Sequence, residues 1–193
     1  MNYLELIDEN FTSLSSLLNN WPKDDRLILE SEARRIAEVI RNGRTIFWCG
    51  NGGSAADSQH LSAELIGRLV NNRSPLASIS LNSDISAITC IANDFGYETV
   101  FERQLEGLAK NGDYLVALST SGDSPNVLRV LSKARSIGIR TLSLLGKGGG
   151  SALQISDCSI VVASATTARI QEMHKIIGHT LCQIVERELG FKN

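Results

Sequence analysis

Several protein classes are excluded by what this chain of 193 residues lacks. Its four cysteines, Cys49, Cys90, Cys158 and Cys182, are scattered and form no CxxC pair. That argues against a zinc knuckle or a disulfide frame, and they read as small core residues in a reducing compartment. No apolar run approaches the ~20 residues that a membrane-crossing helix needs. The first twenty residues carry Glu5, Asp8 and Glu9, where a signal peptide has a basic start and an apolar stretch. The expected location is therefore the cytoplasm. A formal net charge of −2 advertises neither a nucleic acid nor a membrane surface as partner. There is no internal repeat, low-complexity tract or long linker. Histidine is scarce, with only His60, His174 and His179, so each position is informative.

What is present suits an ordinary globular domain, or one domain with an extension. At this length folding buries roughly 70% of the unfolded surface, enough for a core without staples. Leu4, Ile7, Phe11, Leu14, Leu17 and Leu18 recur at helical spacing. Trp21-Pro22 breaks that pattern, and Asp24-Asp25 put negative charge in the first turn of a second helix. Gly43 is a natural stop for it. Residues 1–43 thus form a helical extension whose apolar surface suits an oligomer interface. From residue 44 onward, short apolar runs alternate with helical patterns, the texture of a parallel α/β sheet. Strands are predicted at 45–49, 77–81, 114–119, 141–145 and 159–162. Helices are predicted near 54–70, 84–92, 100–109 and 124–137, and a long last one at 168–189.

Three places can carry chemistry. The run Cys49-Gly50-Asn51-Gly52-Gly53-Ser54 joins a strand to a helix. Its glycines permit a sharp turn and close approach of a ligand, and the helix start attracts anions. It lacks both the GxGxxG spacing and a GK[ST] ending, and by itself it fits an ordinary strand-to-helix turn equally well. The run Ser119-Thr120-Ser121-Gly122-Asp123-Ser124-Pro125-Asn126 places four hydroxyls within six positions. Pro125 fits a first helical turn and Ser124 is positioned as its cap. Such a loop can wrap a phosphate without a lysine or arginine. In a 2-1-3-4-5 strand order both loops flank the ligand crevice. Third, His60 and Glu64 share a helix face at i, i+4, while Gln171, His174 and His179 lie together in the last helix. A solvated ion pair explains His60 and Glu64 as readily as chemistry does, and a structural hydrogen bond suits His174. Gly178 inside that helix costs ~1 kcal/mol, which points to close packing beside His179. Gln171 and His179 are ~12 Å apart along a straight helix, so they meet one small ligand only by leaning together or with help from a second subunit.

The segments CGNGGSAADSQHLSAEL, IANDFG, STSGDSPNVL and ARIQEMH…HTLCQ together resemble the phosphoheptose isomerases of the SIS (sugar isomerase) family, over nearly the whole chain. The resemblance implies a flavodoxin-like five-stranded parallel sheet flanked by helices, the SIS domain at 44–193, and assembly as a homotetramer. It implies interconversion of sedoheptulose 7-phosphate and D-glycero-D-manno-heptose 7-phosphate, the first step toward activated heptose for lipopolysaccharide or another surface glycan. Carried over by motif, Glu64 and His179 match the acid–base pair. His60, Glu64, Gln171 and His179 match a set binding one Zn²⁺ per site. Asn51, Gly52, Gly53, Ser54, Glu64, Asn93, Asp94, Ser119, Thr120, Ser121, Ser124 and Gln171 match the substrate contacts. One departure is that Thr166-Thr167 stands where family members often have an acidic residue before ARIQ. The resemblance also admits a second reading, a non-catalytic SIS adaptor that binds the replication initiator or senses sugar phosphate. Those relatives lack the residues matching Glu64 and His179, and this chain has both.

Overall fold

The computed structural model describes residues 2–70 and 72–191. The elements run α1 (Tyr3–Asn19), α2 (Lys23–Arg41), β1 (Ile46–Gly50), α3 (Gly53–Ile66), β2 (Ser78–Ser80), α4 (Ile85–Phe95), a 3₁₀ turn (Tyr97–Thr99) and α5 (Val100–Leu108). They continue with β3 (Tyr114–Ser119), α6 (Pro125–Ser136), β4 (Arg140–Leu145), α7 (Ala152–Ile155), β5 (Cys158–Val161) and α8 (Thr167–Glu188). The five strands are all parallel, in the order β2-β1-β3-β4-β5. The sheet is covered on both faces, which is why β1 and β3 are buried at every position. Ile46, Trp48, Tyr114 and Val116 point to the face covered by α2, α3 and α8. Phe47, Cys49, Leu115 and Ala117 point to the face covered by α5 and α6. Among the described residues no helix is long and apolar enough to cross a membrane.

The two N-terminal helices behave differently. α2 buries Leu29, Ala33, Ile36 and Ala37 in the same core as Trp48 and Tyr114. A boundary between residues 43 and 44 therefore cuts through one core. α1 has no buried residue, and Phe11 is 71% exposed. α4 is similar: it buries nothing, and Ile85 is 73% exposed. Each packs one side on the core, α1 through Leu14 and Leu17 and α4 through Ile88 and Ile91, and leaves apolar residues exposed on the other, the kind of surface that protein partners cover.

A buried polar knot joins α2 to the sheet. Glu32, 2% exposed, accepts a hydrogen bond from the Tyr114 hydroxyl (2.5 Å) and two from the Arg140 guanidinium (3.0 and 2.8 Å). Burial alone would raise the Glu32 carboxyl. The bonds from Arg140 and Tyr114, with the Arg140 charge, outweigh it and hold the group below its ordinary value. A carboxyl depressed in the folded state contributes stability above the ordinary carboxylate range, and that contribution is lost as pH falls through the folded value. Glu32→Ala leaves Arg140 and Tyr114 unpaired and should cost about 3 kcal/mol in urea denaturation at neutral pH. On acidification the wild type should lose stability more steeply than Glu32→Gln. Parallel acid profiles of the two would contradict this.

Candidate active site

The glycine and hydroxyl loops leave the carboxyl ends of β1 and β3, adjacent strands at which the chain order reverses. They touch directly. Asn51 and Asn126 exchange amide hydrogen bonds, each 2.8 Å, and the Tyr97 hydroxyl donates to Asn51 Oδ1 at 3.0 Å. A small cavity of about 50 Å³ lies between the loops, lined by Asn51, Ser54, Leu118, Ser119, Thr120 and Ser124. Ser119 Oγ accepts from the Gly122 amide (3.0 Å) and Ser121 Oγ from the Asp123 amide (3.2 Å), so each hydroxyl proton remains for a ligand. Ser124 occupies the cap position before Pro125, but its hydroxyl makes no capping bond. The expected side-chain cap is therefore absent. Among the described residues Ser124 and Thr120 hydroxyls have no protein partner, which leaves them free for an anion at the start of α6.

A second loop buttresses the first. Gly122 has φ +72°, and a Cβ there would stand 1.9 Å from the Gly149 carbonyl oxygen. The Ser151 amide donates to Asp123 Oδ1 at 2.8 Å, and that bond holds the exposed Asp123 carboxyl below its usual range. The Ala152 amide donates to the Gly122 carbonyl. Tyr97 and the 146–151 loop lie outside the three sequence motifs, and Asp123 and Asn126 stand within the hydroxyl run with no role of their own there. Asn126 ends the hydroxyl run and Tyr97 follows the IANDFG segment, which is the only signal either carries.

The residues matched to the acid–base pair sit further along: Glu64, with His60, on α3, and His179 on α8. α3 and α8 run side by side in parallel, shown by successive contacts at nearly constant sequence offset. Gly53 abuts Gln171, Lys175 pairs with Asp57 at 3.0 Å, Leu61 packs on Gly178, and His60 meets His179. The glycines permit this approach. A Cβ at 178 would stand 2.4 Å from Leu61 Cδ1, and one at 53 equally close to Gln171 Nε2. His60 Nε2 lies 2.8 Å from His179 Nε2 and 3.4 Å from Glu64 Oε1. One atom from each of the three residues falls within 4.8 Å of the others. The set is two imidazoles and a carboxylate, half-open to solvent, and it suits a divalent cation with a free position. Tetrahedral ligation would need the two nitrogens about 3.3 Å apart, a small opening of the present pair. Glu64 and His179 thus meet on one chain.

Gln171 does not join them, because it stands at the glycine loop, some two helical turns away. Asn93 and Asp94 lie in the last turn of α4, exposed and bonded to each other (2.7 Å). Their link to the loops runs through Tyr97, three residues on. His174 makes the expected structural hydrogen bond and is wholly shielded, with Nε2 at 3.1 Å from the Leu145 carbonyl. Burial pushes it down to about 4, so it is neutral at physiological pH.

Comparison with known proteins matches this arrangement. The sequence pattern described as the SIS domain fits residues 10–146. The chain is 46% identical over 183 residues to a phosphoheptose isomerase of Akkermansia muciniphila, covering 95% of this chain and 93% of that one. A phosphoheptose isomerase of Helicobacter pylori is 44% identical over 98% of each chain. The chain belongs to the phosphoheptose isomerases of the SIS domain family. It is accordingly an enzyme of the sugar-phosphate isomerase class. The structure of a phosphoheptose isomerase from Francisella tularensis superposes with a TM-score of 0.91 at 30% identity, over 97% of this chain and all of that one. That from Neisseria gonorrhoeae gives 0.85 at 33% identity, over 96% and 100%.

Gly122→Ala should disrupt the hydroxyl loop, since the new methyl meets a carbonyl and the backbone is left-handed. The expected cost is about 1–3 kcal/mol of stability, with KM for the sugar phosphate rising much more than kcat falls. Unchanged KM in steady-state assays would show that the loop does not hold substrate.

Proposed function

We propose that this isomerase interconverts sedoheptulose 7-phosphate and D-glycero-D-manno-heptose 7-phosphate through an enediolate. The observation that carries the reading is the convergence of Glu64 with His60 and His179 on two packed helices, in a chain whose hydroxyl loop offers unpaired donors for a phosphate. Ser119, Thr120, Ser121 and Ser124 hold the phosphate, and Asn51, Gly52, Gly53, Ser54 and Gln171 line the approach to it, with Asn93 and Asp94 at its edge. Glu64 takes the proton from C1 of the ketose and returns it to C2. His179 carries the hydroxyl proton from O1 to O2, so the two transfers balance. His60, Glu64 and His179 would hold Zn²⁺, which when bound polarises the sugar oxygens as a Lewis acid. In the cytoplasm the product would enter activated-heptose synthesis for lipopolysaccharide or another surface glycan.

Within one chain the two halves are too far apart for one substrate. Glu64 is eleven residues beyond Gly53, or ~16 Å along α3. An extended seven-carbon sugar spans roughly 10 Å from reacting carbon to phosphorus, taking C–C bonds of ~1.5 Å. Each site is therefore completed by a second copy: the hydroxyl loop comes from one chain and the Glu64 cluster from another. Gln171 ligates the metal only from such a neighbouring chain. The bare faces of α1 and α4 supply apolar surface for a homotetramer.

Glu64→Gln should keep fold and substrate binding while lowering turnover and solvent-deuterium incorporation at least 100-fold. Unchanged exchange would remove Glu64 from the role. Mixed oligomers of Glu64→Gln with Ser121→Ala/Ser124→Ala should regain activity, since one intact site can form between chains. Mixtures of Glu64→Gln with His179→Ala should not, because both residues sit on one chain. No recovery in either mixture would place the whole site within a protomer, and recovery only in the second would place Glu64 and His179 on different chains.

A further inference from the structure

One buried charged pair has no part in the chemistry above. The Arg73 side chain is 0% exposed and its partner Glu186 2%, with Nε donating to Glu186 Oε1 at 2.6 Å. A buried pair of this kind is not in itself a source of stability, so its other contacts matter. Arg73 Nη2 donates to the carbonyl of Glu64 at 2.8 Å, and Nη1 to those of Leu65 (2.8 Å) and Ser74 (3.0 Å). Glu64 and Leu65 lie in the last turn of α3, where carbonyls have no helical partner. Such turns fray unless capped, and a cation there also meets the negative end of the helix dipole. The Arg73 fork is that cap. Glu186 extends the tie to the other helix. It also accepts the Leu69 amide at 3.2 Å. It sits seven residues, about two turns, beyond His179 on α8.

We propose that the Arg73–Glu186 pair is a positioning device for the reaction. It fixes the turn that presents Glu64 against the helix that presents His179. The inference rests on Glu64 being the base. Arg73 meets Glu64 only at its backbone carbonyl, and neither residue bonds to a side chain of the His60–Glu64–His179 cluster, so the effect is on geometry alone. A misplacement of about 1 Å in a reacting group costs on the order of 10²-fold in rate.

The test pairs two variants. Arg73→Met/Glu186→Met removes both charges at similar volume, an exchange that buried pairs tolerate in stability. Arg73→Lys keeps the charge and loses the planar fork. Both should unfold cooperatively near the wild-type midpoint and bind sugar phosphate with KM within about twofold, yet lose about 10- to 100-fold in kcat. Wild-type kcat in the folded double variant overturns the proposal, as does a loss that merely follows the unfolded fraction or falls equally on KM. If the double variant does not fold, Arg73→Lys decides by the same split of kcat from KM. Glu64→Gln in the same assay separates the two ideas. Its inactivity beside fully active Arg73 variants sinks the positioning role alone, whereas its full activity sinks the base assignment and the positioning role with it.

Discussion

The close parallel packing of α3 on α8 is the constraint on which the His60–Glu64–His179 cluster depends. His60 and Glu64 come from one helix and His179 from the other, and neither helix alone assembles the group. The helices approach this closely because Gly53 and Gly178 present no side chain where Gln171 and Leu61 stand. Leu61, wholly buried, cannot move aside for a Cβ at 178. The cost of a glycine in a helix interior is offset by bringing two imidazoles within hydrogen-bond distance. Along the same seam the Asp57–Lys175 and Arg73–Glu186 pairs lie on either side of the histidines.

The sheet contributes a second, independent alignment. Parallel strands must end on the same side, so the loops after β1 and β3 meet whatever their sequences. What makes the meeting useful is local. Asn51 and Asn126 clasp each other across the crevice, and the 146–151 loop presses on Gly122. The hydroxyls of Thr120 and Ser124 are left without protein partners among the described residues. Hydroxyls and amides at a helix start can hold an anion without a cation.

Much of the fold was legible because its signals are local. Strand periodicity placed β3 at Tyr114–Ser119 to the residue, and the other strands within one or two. α7 was missed because four residues in a glycine-rich loop carry no period. Ser124 was misread as a side-chain cap because composition shows a serine before proline but not where its hydroxyl turns. The bonds of Tyr97 and Asn126 to Asn51 are not legible in the sequence, because a single hydrogen-bonding residue in a loop is indistinguishable from its neighbours until its partner is known. Arg73 is hidden for the same reason: as one charge in a polar stretch, it reads as solvated surface, yet its side chain is fully buried.

By itself the sequence determined the elements, their alternation and the residue types available for chemistry, since each depends on neighbours within a few turns. It also determined that Gln171 and His179 meet one small ligand only by leaning together or with help from a second subunit, which is a matter of rise per residue. Only the tertiary structure decided that His60 and Glu64 join His179 on one chain, that Gln171 lies with the glycine loop, and that α2 is buried in the core while α1 touches it only at its edge, through Leu14 and Leu17. Those outcomes depend on contacts between residues more than a hundred positions apart. No local propensity encodes such contacts. They are set by which buried faces fit together, and here two glycines settle the fit.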